Sequence, residues 1–334
     1  MTIRLIPDKG LWDRFVDDSP YALLFHKWDF LRTVEKHAGA RLLPYGLYQG
    51  SQLVGICPVF RQRQLNLNFL FSPPPRTGVP YLGLAMGRLY DQVRQRRREG
   101  YLNDAVAELD GELRGMAPRF VSLTTVPEFG DVRPFLWAGY EARANYTYVI
   151  DLRQPLDEIW RGFDDNCRKN IKHCEGHRLE IRESTSTREF FDLMTARYGQ
   201  QKLRFPVLSP GYVADLLAAF PDHLKLYYLY SDGAIIGHEL ICQYKKKMML
   251  WMGESLIQRE VPANYYLRWE FLKRAKAAGF EQFEIQGAMV RQLCGNKARF
   301  NPELSCGFVL EKKDTVGRLA EWTYQNLVKR KVLS

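Results

Sequence analysis

One segment of the chain combines the residue types that acyl transfer uses. Residues 262–302 predict a helix that begins at Asn264, a good N-cap residue, and stops at Gly279, followed by a short strand at 283–285. Lys297 lies in the loop that follows this strand. Free backbone N–H groups at a helix start and a nearby lysine can stabilise an oxyanion or hold an activated acyl group. An ordinary helix–strand unit with a surface lysine is the alternative.

Two acidic residues and a histidine precede this segment. Glu254 follows the predicted strand Met248–Gly253 and lies beside the helix start, where it could act as a general base or remain a solvated strand-end charge. His238 and Glu239 occupy neighbouring positions in a strand and therefore face opposite sides. The pattern favours a buried histidine with satisfied hydrogen bonds over a catalytic one.

Arg168 and Lys169 lie at the basic end of a helix predicted over Leu156–Cys174. Their charges could hold the phosphates of a donor or an acceptor. The alternative is that they complement the dipole of their own helix.

The six cysteines indicate a reducing compartment, because none forms a CxxC pair and some lie in apolar runs. Cys167, His173, Cys174 and His177 fall short of a zinc site in ligand number and spacing, so no metal is expected. The N-terminus does not read as a signal peptide, and no apolar run approaches the roughly 20 residues that span a bilayer. These features predict a cytoplasmic protein.

The formal net charge of +10 suits a polyanionic partner. Candidates are tRNA or another RNA, a nucleotide-bearing substrate and the surface of an anionic membrane; DNA is not expected. A solvated basic surface is the alternative for each single cluster, and the clusters are Arg94 with Arg96–Arg98, Lys245–Lys247 and Lys329–Lys331.

A repeated pattern divides the chain. Each half has a predicted hairpin whose second strand is entered through a glycine, Gly55 or Gly237, and each hairpin is followed by a helix and a strand. This repetition predicts an α/β (α+β) fold with two related units, each a mixed central sheet flanked by helices. The expected domains are 1–145 and 146–316, with a C-terminal helix in 317–334 that packs back on the first domain.

Five short motifs follow one another along nearly the whole chain: Leu24-Phe25-His26-Lys27-Trp28; Gly139-Tyr140 with Thr147–Leu152; Arg168 with Asn170-Ile171-Lys172; Phe205-Pro206 with Ser209; and Asn264-Tyr265-Tyr266-Leu267 with Trp269-Glu270, Gly279, Gly287 and Lys297 before Phe300. In this order they resemble the FemAB-like acyl- and aminoacyltransferases. The fold of that family is a tandem pair of acyl-CoA N-acyltransferase (GNAT-like) domains.

The resemblance implies roles for several residues. Lys297 would lie at the mouth of the acyl channel and orient the donor or stabilise the oxyanion. Asn264 and Tyr265 would bind substrate on the same side, and Lys27 and Trp28 would line the acceptor groove. The implied activity is N-acyl transfer from an activated donor to an amine of a peptide or cell-envelope precursor.

The turn before the predicted helix bears on the donor. CoA-dependent members grip the pyrophosphate with a glycine-rich turn at a helix start, whereas Gln258–Asn264 lacks glycine and contains Pro262, which has no N–H. The expected co-substrate is therefore aminoacyl-tRNA or an acyl-CoA bound in an unusual way, with no tightly bound cofactor. The alternative function is a non-catalytic module that binds RNA or another anionic partner.

Overall fold

The structure is a computed structural model that describes residues 1–64, 66–200, 207–255, 261–314 and 317–318, with the backbone alone for Gln200, Glu254 and Ser255. Several predictions lie outside these residues. They concern the helix beyond residue 318, the Lys329–Lys331 cluster, the Phe205-Pro206 motif and the turn residues 258–260.

The first part of the chain contains strands and helices in the following order: β1 (Thr2–Leu5), α1 (Lys9–Asp18), a 3₁₀ turn (Leu24–His26), α2 (Trp28–Ala38), β2 (Arg41–Gln49), β3 (Gln52–Gln64), β4 (Leu67–Ser72), β5 (Ala85–Met86), α3 (Arg88–Gln92), α4 (Gln95–Gly115), β6 (Pro118–Thr124) and α5 (Arg133–Trp137).

The second part continues with β7 (Glu141–Asp151), α6 (Leu156–Gly162), α7 (Asp165–Glu175), β8 (Leu179–Ser184), α8 (Thr187–Gln200), α9 (Pro210–Ala219), β9 (Leu224–Ser231), β10 (Ala234–Tyr244), β11 (Lys247–Ser255), α10 (Ala263–Ala277), β12 (Gln282–Ile285), α11 (Arg291–Ala298) and β13 (Glu303–Lys313).

The described residues form two compact units. Unit 1 contains Met1–Asn145, residues 207–208 and the residues from Cys306 on, and unit 2 contains residues 146–200 and Ser209–Ser305. Residues 309–313 of β13 pair with β6, which explains why this end of the strand belongs to unit 1. The sequence assigned it to the second domain. The division into independent domains of residues 1–145 and 146–316 stays a prediction.

Unit 1 is built on a mixed sheet with the strand order β1-β2-β3-β4-β6-β13, and β5 pairs with β3. Neighbouring strands are antiparallel except β4 and β6, which are parallel and are joined through α4. A parallel pair needs such a crossover, because a hairpin turn cannot join two strands that run the same way.

Unit 2 repeats this arrangement with the strand order β7-β12-β11-β10-β9-β8. The parallel pair is β11 and β12, joined through α10, and the other pairs are antiparallel. Helices α7 and α10 pack on one face of the sheet, which we call the α10 face, and they share a core with β12 that includes Ile171, Phe271, Leu272 and Phe283. The predicted α/β class, with mixed sheets flanked by helices, is confirmed.

Both predicted hairpins are confirmed, and they share a local irregularity. In β3, Leu47 pairs with Gly55 and Tyr48 with Leu53, so that Val54 is an extra residue. In β10, Ile236 is the extra residue directly before Gly237. Such bulges increase the twist of a strand. The repetition that the sequence suggested therefore extends to the backbone geometry of the two units.

Helix α10 ends where the sequence predicted. Gly279 has φ of +80°, its N–H bonds to the Lys276 carbonyl at 3.1 Å, and the Phe280 N–H bonds to the Ala275 carbonyl at 3.1 Å. These two bonds form a Schellman cap, which glycine favours because an L side chain is strained at positive φ. The cap turns the chain directly into β12.

The predicted helix Leu156–Cys174 is two helices. Asp164 separates α6 from α7, and its carboxylate accepts hydrogen bonds from the backbone N–H groups of Asn166 and Cys167 at 2.8 and 3.3 Å. An N-cap of this kind starts a new helix, because it satisfies N–H groups that a continuous helix would bond internally. Arg299, which follows α11, also donates to Asp164 at 2.8 Å.

Candidate active site

Strands β11 and β12 separate after a short parallel contact. Lys247–Leu250 pair with Gln282–Ile285, and β11 then continues to Ser255 while its ladder with β12 has ended. The register of β11 against β10 shifts at the same level, where Trp251 is an extra residue. Because β12 ends at Ile285, the second half of β11 lies beyond this ladder, and we call the space beside it, at the carboxyl ends of the parallel strands, the gap between β11 and β12.

Lys297 lies at the point where the two strands separate. Its ammonium group donates a hydrogen bond to the carbonyl oxygen of Gln286, the first residue after β12. Gly287 follows with φ of +96°, and a Cβ atom there would lie 2.7 Å from Lys297 Nζ. Glycine at 287 therefore provides both the backbone conformation and the space that Lys297 occupies.

Side chains from two other elements contact α11 and the turn that follows it. Tyr265 of α10 donates to Asn296 Oδ1 at 3.0 Å and stacks on Phe300, with ring centroids 5.8 Å apart. Tyr148 of β7 is hydrogen-bonded to Cys294. Its pKa is raised mainly by burial and, second, by this hydrogen bond. Lys297 thus belongs to a largely exposed helix that Tyr148 and Tyr265 tie to unit 2, and Tyr265 does so from the predicted substrate-binding position.

Asn264 is not the N-cap that the sequence predicted. The helix begins at Ala263, its N-cap is Pro262, and no side chain of the described residues caps it. Asn264 is therefore a half-buried residue of the first helical turn.

Arg168 and Lys169 differ in their surroundings. The Arg168 guanidinium donates to the carbonyl oxygens of Arg161 at 2.9 Å and of Phe163, and it pairs with Asp165. These contacts close the end of α6, since the last carbonyl groups of a helix lack internal partners. They account for Arg168 without a bound phosphate. Lys169 is exposed on α7, and phosphate binding by either residue stays a prediction.

Lys27 and Trp28 belong to unit 1. The Lys27 ammonium contacts both carboxylate oxygens of Asp17 at 2.9 Å. The Trp28 N–H, at the start of α2, donates to Asp13 at 2.8 Å, and its ring lies edge-on to Trp12 at 6.1 Å. These contacts describe the fold of unit 1, and the acceptor-binding role implied by the resemblance stays a prediction.

Only the backbone of Glu254 is described, and it pairs with His238 of β10. The general-base role of Glu254 therefore stays a prediction. Glu239, the next residue in β10, pairs with Gly253, and the two lie so close that no Cβ atom fits at 253. A carboxylate on the α10 face, 9% exposed, thus lies over the free half of β11.

A buried polar cluster lies on the other face of the same strands, and the sequence did not predict it. The Glu284 side chain is fully buried and its Oε2 lies 3.1 Å from Lys247 Nζ. Thr147 and the Gln286 amide both donate to Glu284 Oε1. Lys247, which the sequence grouped with a solvated basic run, is therefore buried. The sequence contained one sign of this cluster, which is that polar residues occur at the positions of β7, β11 and β12 that strand pairing brings together.

His238 is buried without the hydrogen bonds that the sequence expected. It is 1% exposed, and among the described residues neither ring nitrogen has a hydrogen-bond partner. Its ring lies edge-on to Phe190 of α8 at 5.2 Å, on the opposite face of the sheet from α10. Burial lowers its pKa to about 4, so the imidazole is neutral at pH 7.

Two other kinds of site are absent from the described residues. In those residues no three or more His, Cys, Asp or Glu side chains are grouped so that they could hold a metal ion. In the same part of the chain no helix has the length and apolar character needed to cross a membrane.

Comparison with known proteins identifies the class. Residues 161–296 match the family model described as an acetyltransferase (GNAT) domain. This stretch runs from the end of α6 to α11 and includes the gap between β11 and β12. The chain contains a GNAT acetyltransferase domain and is an acyltransferase, and such a domain implies an acyl donor and an amine acceptor.

Solved structures place the fold more closely. FemX is similar with a TM-score of 0.69 at 12% identity, over 92% of this chain and 97% of that chain. The C-terminal domain of a putative lysylphosphatidylglycerol synthetase from Agrobacterium fabrum has a TM-score of 0.53 at 13% identity, over 89% and 92%. A tandem GNAT protein from the clavulanic acid biosynthesis pathway has a TM-score of 0.51 at 11% identity, over 92% and 97%.

No curated protein matches the sequence. The structural similarities confirm the predicted FemAB-like GNAT fold. At these identities they show the fold alone.

Proposed function

We propose that this acyltransferase moves an acyl or aminoacyl group from an activated carrier to the amine of a peptide or a cell-envelope precursor. The observation that carries the proposal is the gap between β11 and β12 with Lys297 at its origin. A gap at this level exposes backbone groups of β11 that a paired strand would have used. An extended acyl carrier can bond to them in place of β12.

The reaction requires a nucleophilic amine and a stabilised oxyanion. The amine nitrogen forms a bond to the donor carbonyl carbon, and the carbonyl oxygen becomes negatively charged. The bond to the carrier then breaks, the carrier leaves with the electron pair and is protonated, and the amine loses a proton. Lys297 supplies a positive charge where the oxyanion forms, and such stabilisation is a large term in acyl transfer.

The donor is aminoacyl-tRNA or acyl-CoA. The likeness to FemX and to a protein named for lysylphosphatidylglycerol, together with the net charge of +10, supports an aminoacyl donor on a polyanionic carrier. The GNAT domain supports acyl-CoA. Both carriers are cytoplasmic molecules, so the proposal includes a cytoplasmic location. If the acceptor is a lipid-linked precursor, we propose that the protein also contacts an anionic membrane.

Mass spectrometry of reactions with both donors tests the proposal. The purified protein is incubated with mixed aminoacyl-tRNA or with an acyl-CoA panel, each combined with peptide and cell-envelope amines. We expect a mass increase of one acyl group on an amine with one donor class. Absence of product with both donors across all acceptors would reject the proposal.

Variants at Lys297 show whether the site is the one described. Lys297→Met is expected to lower kcat by about 100-fold, the effect of losing one oxyanion-stabilising group, and Lys297→Arg should retain part of the activity. Lys36→Met removes one exposed charge of unit 1 and serves as the control. RNA binding that depends on salt, without turnover and unchanged in Lys297→Met, would support the non-catalytic alternative instead.

A further inference from the structure

His238 differs from a structural histidine of the same chain. His26 is also fully buried, but its Nδ1 accepts a hydrogen bond from the Leu23 N–H at 3.1 Å and its Nε2 lies 3.1 Å from the Leu82 carbonyl oxygen. His238 makes neither kind of bond with any group in the part of the chain that the structure describes. A buried polar group without a partner costs about 1–3 kcal/mol, so its presence requires an explanation other than folding.

The neighbouring side chains that the structure describes do not supply a partner for His238. The Tyr228 hydroxyl, on the adjacent strand, donates to the Ser186 carbonyl at 2.6 Å, and the Phe190 ring has no strong hydrogen-bonding group. The neutral imidazole therefore presents one donor and one acceptor nitrogen in an aromatic environment. This is a suitable place for a polar ligand that carries no charge.

His238 lies opposite the part of β11 that borders the gap. It pairs with Glu254, four residues beyond Leu250, where the ladder between β11 and β12 ends. It also lies on the face that carries α8, whereas α10 lies on the other face. A carbonyl group held in the gap between the strands can be attacked from the face of His238.

We propose that His238 binds the nucleophilic amine of the acyl acceptor by accepting a hydrogen bond from its N–H group. The bond directs the nitrogen lone pair towards the donor carbonyl and selects the neutral amine, since a buried ammonium ion would be poorly solvated. The Phe190 ring has to turn aside when the amine binds. This inference rests on the proposed function and identifies the acceptor side of its site.

Replacement by leucine separates this role from a structural one. His238→Leu removes an unpartnered polar group and keeps an apolar side chain of similar size, so we expect its thermal unfolding midpoint to equal or exceed that of the wild type. We expect kcat/KM for the amine to fall at least about tenfold, which is the loss of one hydrogen bond, while the donor KM stays unchanged. His238→Gln, which retains an acceptor atom, should recover part of the activity.

His26→Leu is the matched control. It removes two existing hydrogen bonds in unit 1, so it should lower the unfolding midpoint while the folded enzyme keeps its kcat/KM. The proposal is overturned if His238→Leu is less stable than the wild type, or if its kcat/KM for the amine is unchanged. If the wild type transfers no acyl group, the proposed function fails, and the comparison of unfolding midpoints still decides whether His238 serves the fold.

Discussion

The glycine at 287 links the backbone of β12 to the lysine of the candidate site. Its φ of +96° strains any L side chain, and a Cβ atom would lie 2.7 Å from Lys297 Nζ. Gly279 has a similar φ of +80°, but a Cβ atom there would meet nothing within 4 Å. Alanine variants at these two positions therefore distinguish the effect of backbone strain, which both would have, from the effect of displacing Lys297, which only the variant at 287 would have.

Gly287→Ala and Gly279→Ala should destabilise the protein by a similar amount, about 1 kcal/mol. Only Gly287→Ala should lower kcat/KM, by at least about tenfold, because it displaces the ammonium group. Urea unfolding and steady-state kinetics of both variants measure these effects. Equal kinetics in the two variants would show that the position of Lys297 is unimportant for transfer.

At the same scale, His238 makes stability depend on pH. Its folded-state pKa of about 4 lies below the ordinary value of 6.5, because burial disfavours the charged ring. Between these pH values the unfolded chain binds the proton more tightly than the folded chain does. Stability is therefore fully present above pH 6.5 and is lost as the pH falls towards 4, by about 3 kcal/mol in total.

Urea midpoints at pH 7.5, 6.0 and 5.0 measure this loss. His238→Leu should lose less stability than the wild type over the same range, since it lacks the titrating ring. Tyr228 and Glu254 are the residues that pair with His238 on the two neighbouring strands, and they are unchanged in both proteins. Parallel pH curves for the two proteins would contradict the assignment.

At the scale of secondary-structure elements, β12 connects the core of unit 2 to the candidate site. Its Phe283 and Ile285 belong to the α10 face, while Glu284 holds Lys247, Thr147 and Gln286 on the other face. The backbone carbonyl of the same Gln286 accepts from Lys297. The buried cluster therefore fixes the residue that positions the lysine.

Removing one partner of this buried pair should be costly. Glu284→Gln leaves the Lys247 ammonium uncompensated in the interior and should destabilise the protein by about 3–5 kcal/mol. The double variant Lys247→Met, Glu284→Gln should regain part of this loss, because the uncompensated charge is gone. Urea unfolding measures both. A cost below about 1 kcal/mol in the single variant would mean that the pair is effectively solvated.

At the scale of the whole molecule, the six cysteines are all free thiols, and the two units bury four of them. Burial raises the pKa of Cys57 and Cys242, and it raises the pKa of Cys167 and of Cys174 to about 12. Because the thiolate is the reactive form, these buried thiols should be inert at neutral pH.

Titration with a thiol reagent counts the accessible cysteines. The native protein should react at Cys294 and Cys306, which are partly exposed, and all six should react in denaturant. Mass spectrometry of the labelled peptides assigns the sites. Rapid labelling of Cys167 or Cys174 in the native protein would show that α7 opens readily.

Much of the fold was predictable because it depends on local patterns. The two hairpins, the stop of α10 at Gly279 and the repeated order of elements all follow from residues near one another in the sequence. The division of α6 from α7 was not predictable in the same way. It depends on Asp164, whose capping role is reinforced by Arg299, far along the chain.

The sequence by itself determined the class of fold and drew attention to Lys297, since periodicity, turn residues and the order of motifs are local properties. Only the tertiary structure showed that β11 extends past the end of β12, that Glu284 holds Lys247 in the interior, and that His238 has no hydrogen-bond partner in the described part of the chain. These features depend on strand register and on contacts between distant residues. A strand pattern shows which residues share a face, and pairing across the sheet decides what each of them meets.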